Sequence, residues 1–344
     1  MDFEKSIAEK ESLERVAPWL AAFAQKPADA SKARLIESQR ALSWLAWSLA
    51  ERLAVARASP SLALAIDSTR RLGAFLGGVE ESEREAFLRG ERVGAVALSD
   101  RGEGPAAKLE KEGDLWRLTC HKPFVANGPI ADWIAVFAEA DGGEAVALVR
   151  SGDPGVRFGV RLDLMGLDGL CVGELEAKGA CLAPGRVLGP FADRSASRGY
   201  SRETNLTLAS AAAGLMHATL GSTLSYAREH RRGDRPLFAR QEVAFKLAEV
   251  FAATEAAELM CHRAAWGVSA RVADADTLVR CAKVFCTENS ERAASAAMQL
   301  MAGAGYLKGS PAERALRDAK GLLLAGTTVE VARMEIADAL LSDF

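Results

Sequence analysis

Apolar positions change their spacing twice along this chain. In the first part they follow a helical period. ARLIESQRALSWLAWSLAERLAVARA (33–58) is rich in Ala, Leu, Arg and Glu, and Trp44, Trp47 and the leucines around them form an apolar stripe; these are mostly residues that lose little freedom in a helix. SPSLALAIDSTRRLGAFLGG (59–78) carries its own punctuation, with Ser59–Pro60 predicting a helix start and Gly77–Gly78 a stop. Near Gly94 the character changes. GAVALSD, LWRLTCHKPFVANG, DWIAVFAEA, EAVALVR and VRFGVRLDLMG are short runs separated by Gly, Asp and Pro, several of them alternating apolar and polar residues. That is the strand pattern. From Arg202 the period is helical again. In QEVAFKLAEVFAATEAAEL, Ala244, Leu247, Ala248 and Phe251 are spaced to share one helix face and are expected to pack inward. Helices over 203–230, 240–268, 273–303 and 311–341 suit an antiparallel bundle. The expected fold is therefore α+β, mainly α. A helical region spans 1–93, a β region 94–195 and a four-helix bundle 196–344.

Composition narrows the function classes. The 344 residues are 49% hydrophobic and 26% charged, with a net charge of −3. That is an ordinary globular balance, without a basic field to hold nucleic acid. No apolar run reaches the length of a membrane helix. MDFEKSIAEKESLER lacks the apolar core of a signal peptide, so a cytoplasmic location is expected. Cys120, Cys171, Cys181, Cys261, Cys281 and Cys286 form no C-x-x-C pair. They read as reduced structural thiols rather than a metal site.

Several stretches, taken in order, resemble the acyl-CoA dehydrogenase family. YAREHRRGDRPLFARQEVAFKLAEV (226–250) is similar to that family's tyrosine–alanine start, its arginine–x–x–phenylalanine–glycine turn and the glutamine before the next helix. CHRAAW and CAKVFCTENSERAASAAMQLMAGAGYLKGSPAERALRDAK follow in the family's order. ALSDRGEGPA resembles the threonine–glutamate–proline loop on the flavin side. KPFVANGPIADW resembles the lysine–x–phenylalanine–isoleucine–threonine–asparagine–glycine strand, and LMGLDGL and GRVLG complete the set. The likeness covers roughly residues 40 to 340. It implies an N-terminal helical domain, a middle β barrel and a C-terminal four-helix bundle. It also implies FAD and the α,β-desaturation of an acyl-CoA thioester, in which a carboxylate removes the α-proton while a hydride leaves for the flavin.

Set against that resemblance, the catalytic positions are depleted. The base is expected just before Gly326–Thr327, where this chain has Ala325. The alternative base position, a glutamate–arginine pair on the first bundle helix, falls on Thr204–Asn205. Glu203 is one residue away, but one residue turns a helix by about 100°. It is either a relocated base or an acid favoured by the helix N-terminus. The cofactor contacts implied by the resemblance are Ser99, Phe124, Asn127, Arg231, Gln299, Gly303, Thr327 and Glu330. Several neighbours depart from the pattern: Pro105 for a serine, Ala126 for a hydroxyl residue, His230, Gly233 and Asp234 in the arginine–phenylalanine–glycine turn, and Ala302 for a glycine. Arg232 is a second source of charge for a pyrophosphate, Gln241 matches the turn's glutamine, and Thr328 neighbours the last loop. The N-terminal region is also short and lacks the family's proline–glycine-rich loop, which suggests a more open or differently used pocket.

These losses resemble the degenerate small subunit of two-chain dehydrogenases that act on fatty or steroid side-chain acyl-CoA thioesters. They imply a catalytic partner subunit in a heterotetramer, FAD shared at a subunit interface, and electron-transfer flavoprotein as a possible acceptor. Bundle faces 241–259 and 281–300 would form the interface. Two other readings stand beside it: a self-sufficient flavoenzyme with Glu203 or Glu330 as displaced base, and a structural or binding protein that uses the fold without FAD.

Overall fold

A computed structural model describes residues 7–24, 31–42, 47–99 and 106–342. Trp44, Pro105 and most of the loop after Ser99 lie outside them. The order of elements is helices, strands, helices, so the fold is α+β and mainly α. Helices α1 (Ile7–Ala24), α2 (Lys32–Leu42), α3 (Leu49–Ala58), α4 (Pro60–Leu72) and α5 (Glu81–Leu88) come first. The start of α4 is the one Ser59–Pro60 predicts, with Ser59 Oγ accepting from the Leu62 N–H at 3.2 Å. A 3-10 turn carries the chain from Gly73 to Gly78. The long helical stretch 33–58 does not form one helix. Ser48 and Glu51 make a reciprocal capping box that starts α3 afresh, an arrangement worth about 1 kcal/mol.

The strands are β1 (Gly94–Ala97), β2 (Lys108–Glu112), β3 (Leu115–Ala126), β4 (Trp133–Ala140), β5 (Gly143–Arg150), β6 (Val156–Arg161), β7 (Val172–Leu182) and β8 (Val187–Phe191). They form one sheet in the order β6-β7-β3-β2-β4-β5-β8, with β1 parallel to β4. Around β1, β4 and β5 both faces are buried. Ile134, Val136 and Ala138 of β4 point into one apolar cluster, and Trp133, Ala135 and Phe137 into another with Leu72 and Leu76.

The bundle follows: α6 (Ser195–Glu229), a short hairpin of β9 (Arg231–Arg232) and β10 (Arg235–Pro236), α7 (Gln241–Ser269), α8 (Ala275–Gly305), α9 (Pro311–Leu324) and α10 (Val329–Ser342). Two expectations are corrected here. The predicted helix 311–341 is broken at Ala325–Thr328, because Gly326 takes a left-handed φ of +64° and Thr328 Oγ1 restarts a helix by accepting from the Val331 N–H. On α7 the inward stripe is Val243, Leu247, Thr254, Ala257, Cys261 and Ala264, while Ala244, Ala248 and Phe251 face outward. Apolar residues on both faces of α7 made the inward one ambiguous. Among the described residues, no helix is long and apolar enough to cross a membrane.

Candidate active site

The break between α9 and α10 lies against the third and fourth turns of α6, which begins at Ser195 rather than at the expected 203, so Glu203 is not an acid at a helix N-terminus. A methyl group built on Gly326 would sit 2.7 Å from Leu208 Cδ1, 3.3 Å from Asn205 Oδ1 and 3.7 Å from Thr204 Cγ2. Asn205 Nδ2 donates to Thr327 Oγ1 at 3.1 Å. Two positions about 120 residues apart in sequence, each able in principle to carry a base, therefore face the same spot. They are occupied by Ala325 and by Thr204–Asn205, none of which can take up a proton near neutral pH. Asn205 is buried, and its Oδ1 has no hydrogen-bond partner among the described residues.

A cleft of about 490 Å³ opens from this spot. Asn205 and Thr327 line it together with the ends of β4 and β5, the first turns of α6 and α8, and Glu335 of α10. Arg194, Arg198, Arg202 and Arg280 reach its walls, where Arg202 pairs with Asp276 at 3.3 Å and Arg280 with Glu335 at 2.6 Å. Arg194 and Arg198, at the mouth, are largely exposed. These arginines were not singled out from the sequence. They are scattered over 87 positions, and only the packing of α6 against α8 collects them.

Glu203 turns the other way. Its carboxylate lies 3.0 Å from Arg71 Nη2 and 3.5 Å from Arg52 Nη2. Both guanidinium groups belong to helices that no local pattern ties to residue 203.

The remaining candidates fall into groups. Ser99 is exposed beside β3, because the buried Lys122 ammonium donates to Leu98 O at 3.0 Å and Phe137 O at 2.8 Å. Phe124 leaves 68% of its surface exposed in the same neighbourhood, and Ala126 follows it. Asn127 is engaged in the fold: its side-chain amide donates to Ala65 O at 2.8 Å and Gly94 O at 3.1 Å, tying α4 to β1. Arg231, Gln299 and Gly303 are exposed. Tyr226 connects them, since its ring stacks on His230 at 3.7 Å and its hydroxyl donates to Met301 O at 3.3 Å. The Arg231 guanidinium folds back onto Asp234 O. Gly303 faces open space, and Ala302 before it adopts φ 49°, ψ −130°, a conformation natural to glycine. Glu330 is exposed on the first turn of α10. The buried Lys283 lies near it and donates to Leu323 O at 3.0 Å, anchoring the end of α9 from below; burial pulls its ammonium down to about 8.

Residues 202–341 match the family model for the acyl-CoA dehydrogenase C-terminal domain. The bundle is thus an acyl-CoA dehydrogenase C-terminal domain, and the chain as a whole is similar to members of that family. It is 29% identical over 78% of its length to 3-(aryl)acrylate reductase from Clostridium sporogenes, covering 74% of that protein. It is 28% identical over 88% of its length to the bovine mitochondrial short-chain specific acyl-CoA dehydrogenase, covering 77% of it. Among solved structures, the ChsE4-ChsE5 complex from Mycobacterium tuberculosis matches with a TM-score of 0.83 and 25% identity, over 99% of each chain. The fold is thus that of the acyl-CoA dehydrogenase flavoenzymes, and the family is one of oxidoreductases. Of the positions expected to meet a cofactor, Ser99, Phe124, Arg231, Gln299 and Gly303 are exposed and so left accessible.

Proposed function

We propose that this chain is a non-catalytic subunit of a heteromeric, FAD-dependent acyl-CoA dehydrogenase. It completes the fold and part of the cofactor cleft for a partner subunit that carries the base. One observation carries this reading: where the 325–327 loop meets α6, Ala325, Thr204 and Asn205 are non-ionisable, Glu203 is held by two arginines, and the acids that line the cleft beside Asn205, Asp276 and Glu335, are each paired with an arginine. Loss of a general base costs a factor of about 10²–10⁴, so this cleft by itself is a poor catalyst of α-proton removal. The flavin, when bound, would accept the hydride. The chain's own contribution would be Ser99 and Phe124 toward the ring, Thr327 and Glu330 at the last loop, and Arg231, Gln299 and Gly303 toward the adenosine end of a cofactor shared with the partner. Arg194 and Arg198 at the mouth offer charge to the phosphates of a CoA thioester.

A second observation favours a partner chain. Phe245, Phe251, Leu259 and Trp266 project outward from α7, and Met334, Leu340 and Leu341 from α10. Outward apolar rows of this kind are covered in an assembly. The two-chain composition of the ChsE4-ChsE5 relative agrees with this. Electron-transfer flavoprotein is the acceptor we assign to the complex, and the cytoplasm its place.

The test is the absorbance spectrum of the purified chain, alone and after co-expression with the neighbouring gene's product. The proposal expects a colourless chain that enters a yellow complex with acyl-CoA dehydrogenase activity. Stoichiometric flavin and turnover in the lone chain would overturn it in favour of a displaced base. A colourless homo-oligomer with no partner would overturn it in favour of a structural protein.

A further inference from the structure

The flank of α6 that turns away from the cleft faces α3 and α4, and that junction is filled with paired charge. Arg71 Nη2 lies 3.0 Å from Glu203 and 3.1 Å from Asp67. Arg52 Nη2 lies 3.5 Å from Glu203, while its Nε donates to Trp47 O at 3.1 Å and its Nη1 to Thr207 Oγ1 at 3.4 Å. Trp47 Nε1 donates to Asp67 Oδ1 at 2.9 Å. The set closes on itself: two guanidinium groups, two carboxylates and one indole, all within reach of the residues flanking Thr204. About three turns further along α6, α3 and α6 meet backbone to backbone. A methyl on Gly214 would sit 2.5 Å from Ala56 Cβ, so no layer of side chains separates the two helices there.

We propose that this ionic cluster closes the inner end of the site, so that the chain accepts the polar head of a CoA thioester but no acyl tail. The inference rests on reading the cleft as an acyl-CoA site. A tail whose first carbons lie between Ala325 and Asn205 has two directions open to it. The cleft is taken by the head, and the inward direction runs between α3, α4 and α6. There a methylene meets ion pairs rather than hydrocarbon, and parting a half-buried guanidinium from its carboxylate is unfavourable. A carboxylated tail fares no better, because Arg71 is bound to two acids and Arg52 to an acid, a carbonyl and a hydroxyl. Neighbouring charges are engaged as well: Arg70 lies over the Trp47 ring, and Glu51 caps α3.

The experiment is a calorimetric titration of the purified full chain with CoA and with S-alkyl-CoA thioethers from ethyl to dodecyl. An apolar pocket tightens binding about fourfold for each methylene it takes up. The proposal expects CoA and all thioethers to bind with Kd values within about threefold of one another. The double variant Arg71→Leu/Glu203→Leu should restore tightening with length. If that variant does not fold, the wild-type series decides alone. Stepwise tightening in the wild-type chain overturns the closure while leaving the acyl-CoA reading intact. Failure of CoA and every thioether to bind overturns that reading, and the proposal with it.

Discussion

The sheet and the bundle use their apolar residues in opposite ways. Along β4 from Trp133 to Ala138, neighbouring side chains point to opposite faces and all are buried, Ile134 in one cluster and Trp133 in another. The sheet therefore finishes its core within one chain. Along α7, Val243, Leu247 and Ala257 are buried, whereas Phe251 is 54% and Leu259 51% exposed. A helix apolar on two faces is built to be covered on both. On the assembly proposed above, the difference means that stability is written in the sheet and association in the outer face of the bundle.

The largest effects should separate the two regions. Ile134→Ala removes a fully buried branched side chain and should cost the lone chain about 2–5 kcal/mol, seen as an earlier urea midpoint. Phe251→Asp should change lone-chain stability by no more than about 0.5 kcal/mol, yet abolish co-purification with the partner subunit. If Phe251→Asp unfolds the chain, or if it leaves the complex intact, the contrast fails.

Glu203→Gln sharpens a second contrast, between the flank of α6 that faces α3 and α4 and the flank that faces the cleft. Removing one carboxylate from between Arg52 and Arg71 should destabilise the chain by about 1–3 kcal/mol, because two half-buried cations lose a shared partner. Turnover of the assembled complex should persist. A loss of about 10²–10⁴ in turnover with unchanged stability would make Glu203 the base after all.

What was legible in the sequence follows the range of each interaction. Ser59–Pro60 marked the start of α4 because a cap is a local event. The facing of α7 was misread, because periodicity does not say which of two apolar faces turns inward. The split of the last helix needed the left-handed φ of Gly326, which one glycine in a helical pattern does not disclose. Family likeness placed 204–205 and 325–327 as rival positions for one role, and the hydrogen bond from Asn205 to Thr327 puts them in one place. The partners of Glu203 lie 132 and 151 residues away, beyond any local pattern.

Two acids should give opposite pH signatures. Glu258 joins α7 to α6 and α3, 2.5 Å from His217 Nε2 and 3.2 Å from Arg57, and hydrogen bonds from His217 and His262 hold its carboxyl far below the ordinary 4.5. Its folded form resists protonation, so its contribution is present above about 4.5 and is lost as pH falls further. Asp318 links α9 to the loop before β7 by accepting from the Leu167 N–H at 2.6 Å, and burial pushes its carboxyl up from 3.8 to about 6. Its folded form holds a proton more tightly, so the cost of burying its charge is relieved as pH falls through 6. Melting temperature should therefore rise slightly between pH 7 and 5 and drop below 4.5. Asp318→Asn should flatten the rise, and Glu258→Gln the drop. An unchanged profile in either variant would remove that residue from the account.

The smallest effect concerns the C-terminal end of α8, beside Gly303. Ala302 holds φ 49° and ψ −130° within an otherwise helical run, while Tyr306 N–H still bonds to its carbonyl at 3.2 Å. A β-carbon in that region costs about 1–3 kcal/mol, and glycine returns about 0.5–1 kcal/mol of that as unfolded-state entropy. Ala302→Gly should therefore stabilise the chain by at most about 1–2 kcal/mol, read as a modest rise in melting temperature. It should also take away a methyl beside Gly303, where a cofactor's backbone contact is expected, and so raise flavin retention in the complex. A stabilised chain without better flavin retention would mean the strain at Ala302 belongs to the fold alone; a destabilised one would mean that the methyl is needed to hold the turn that separates α8 from α9.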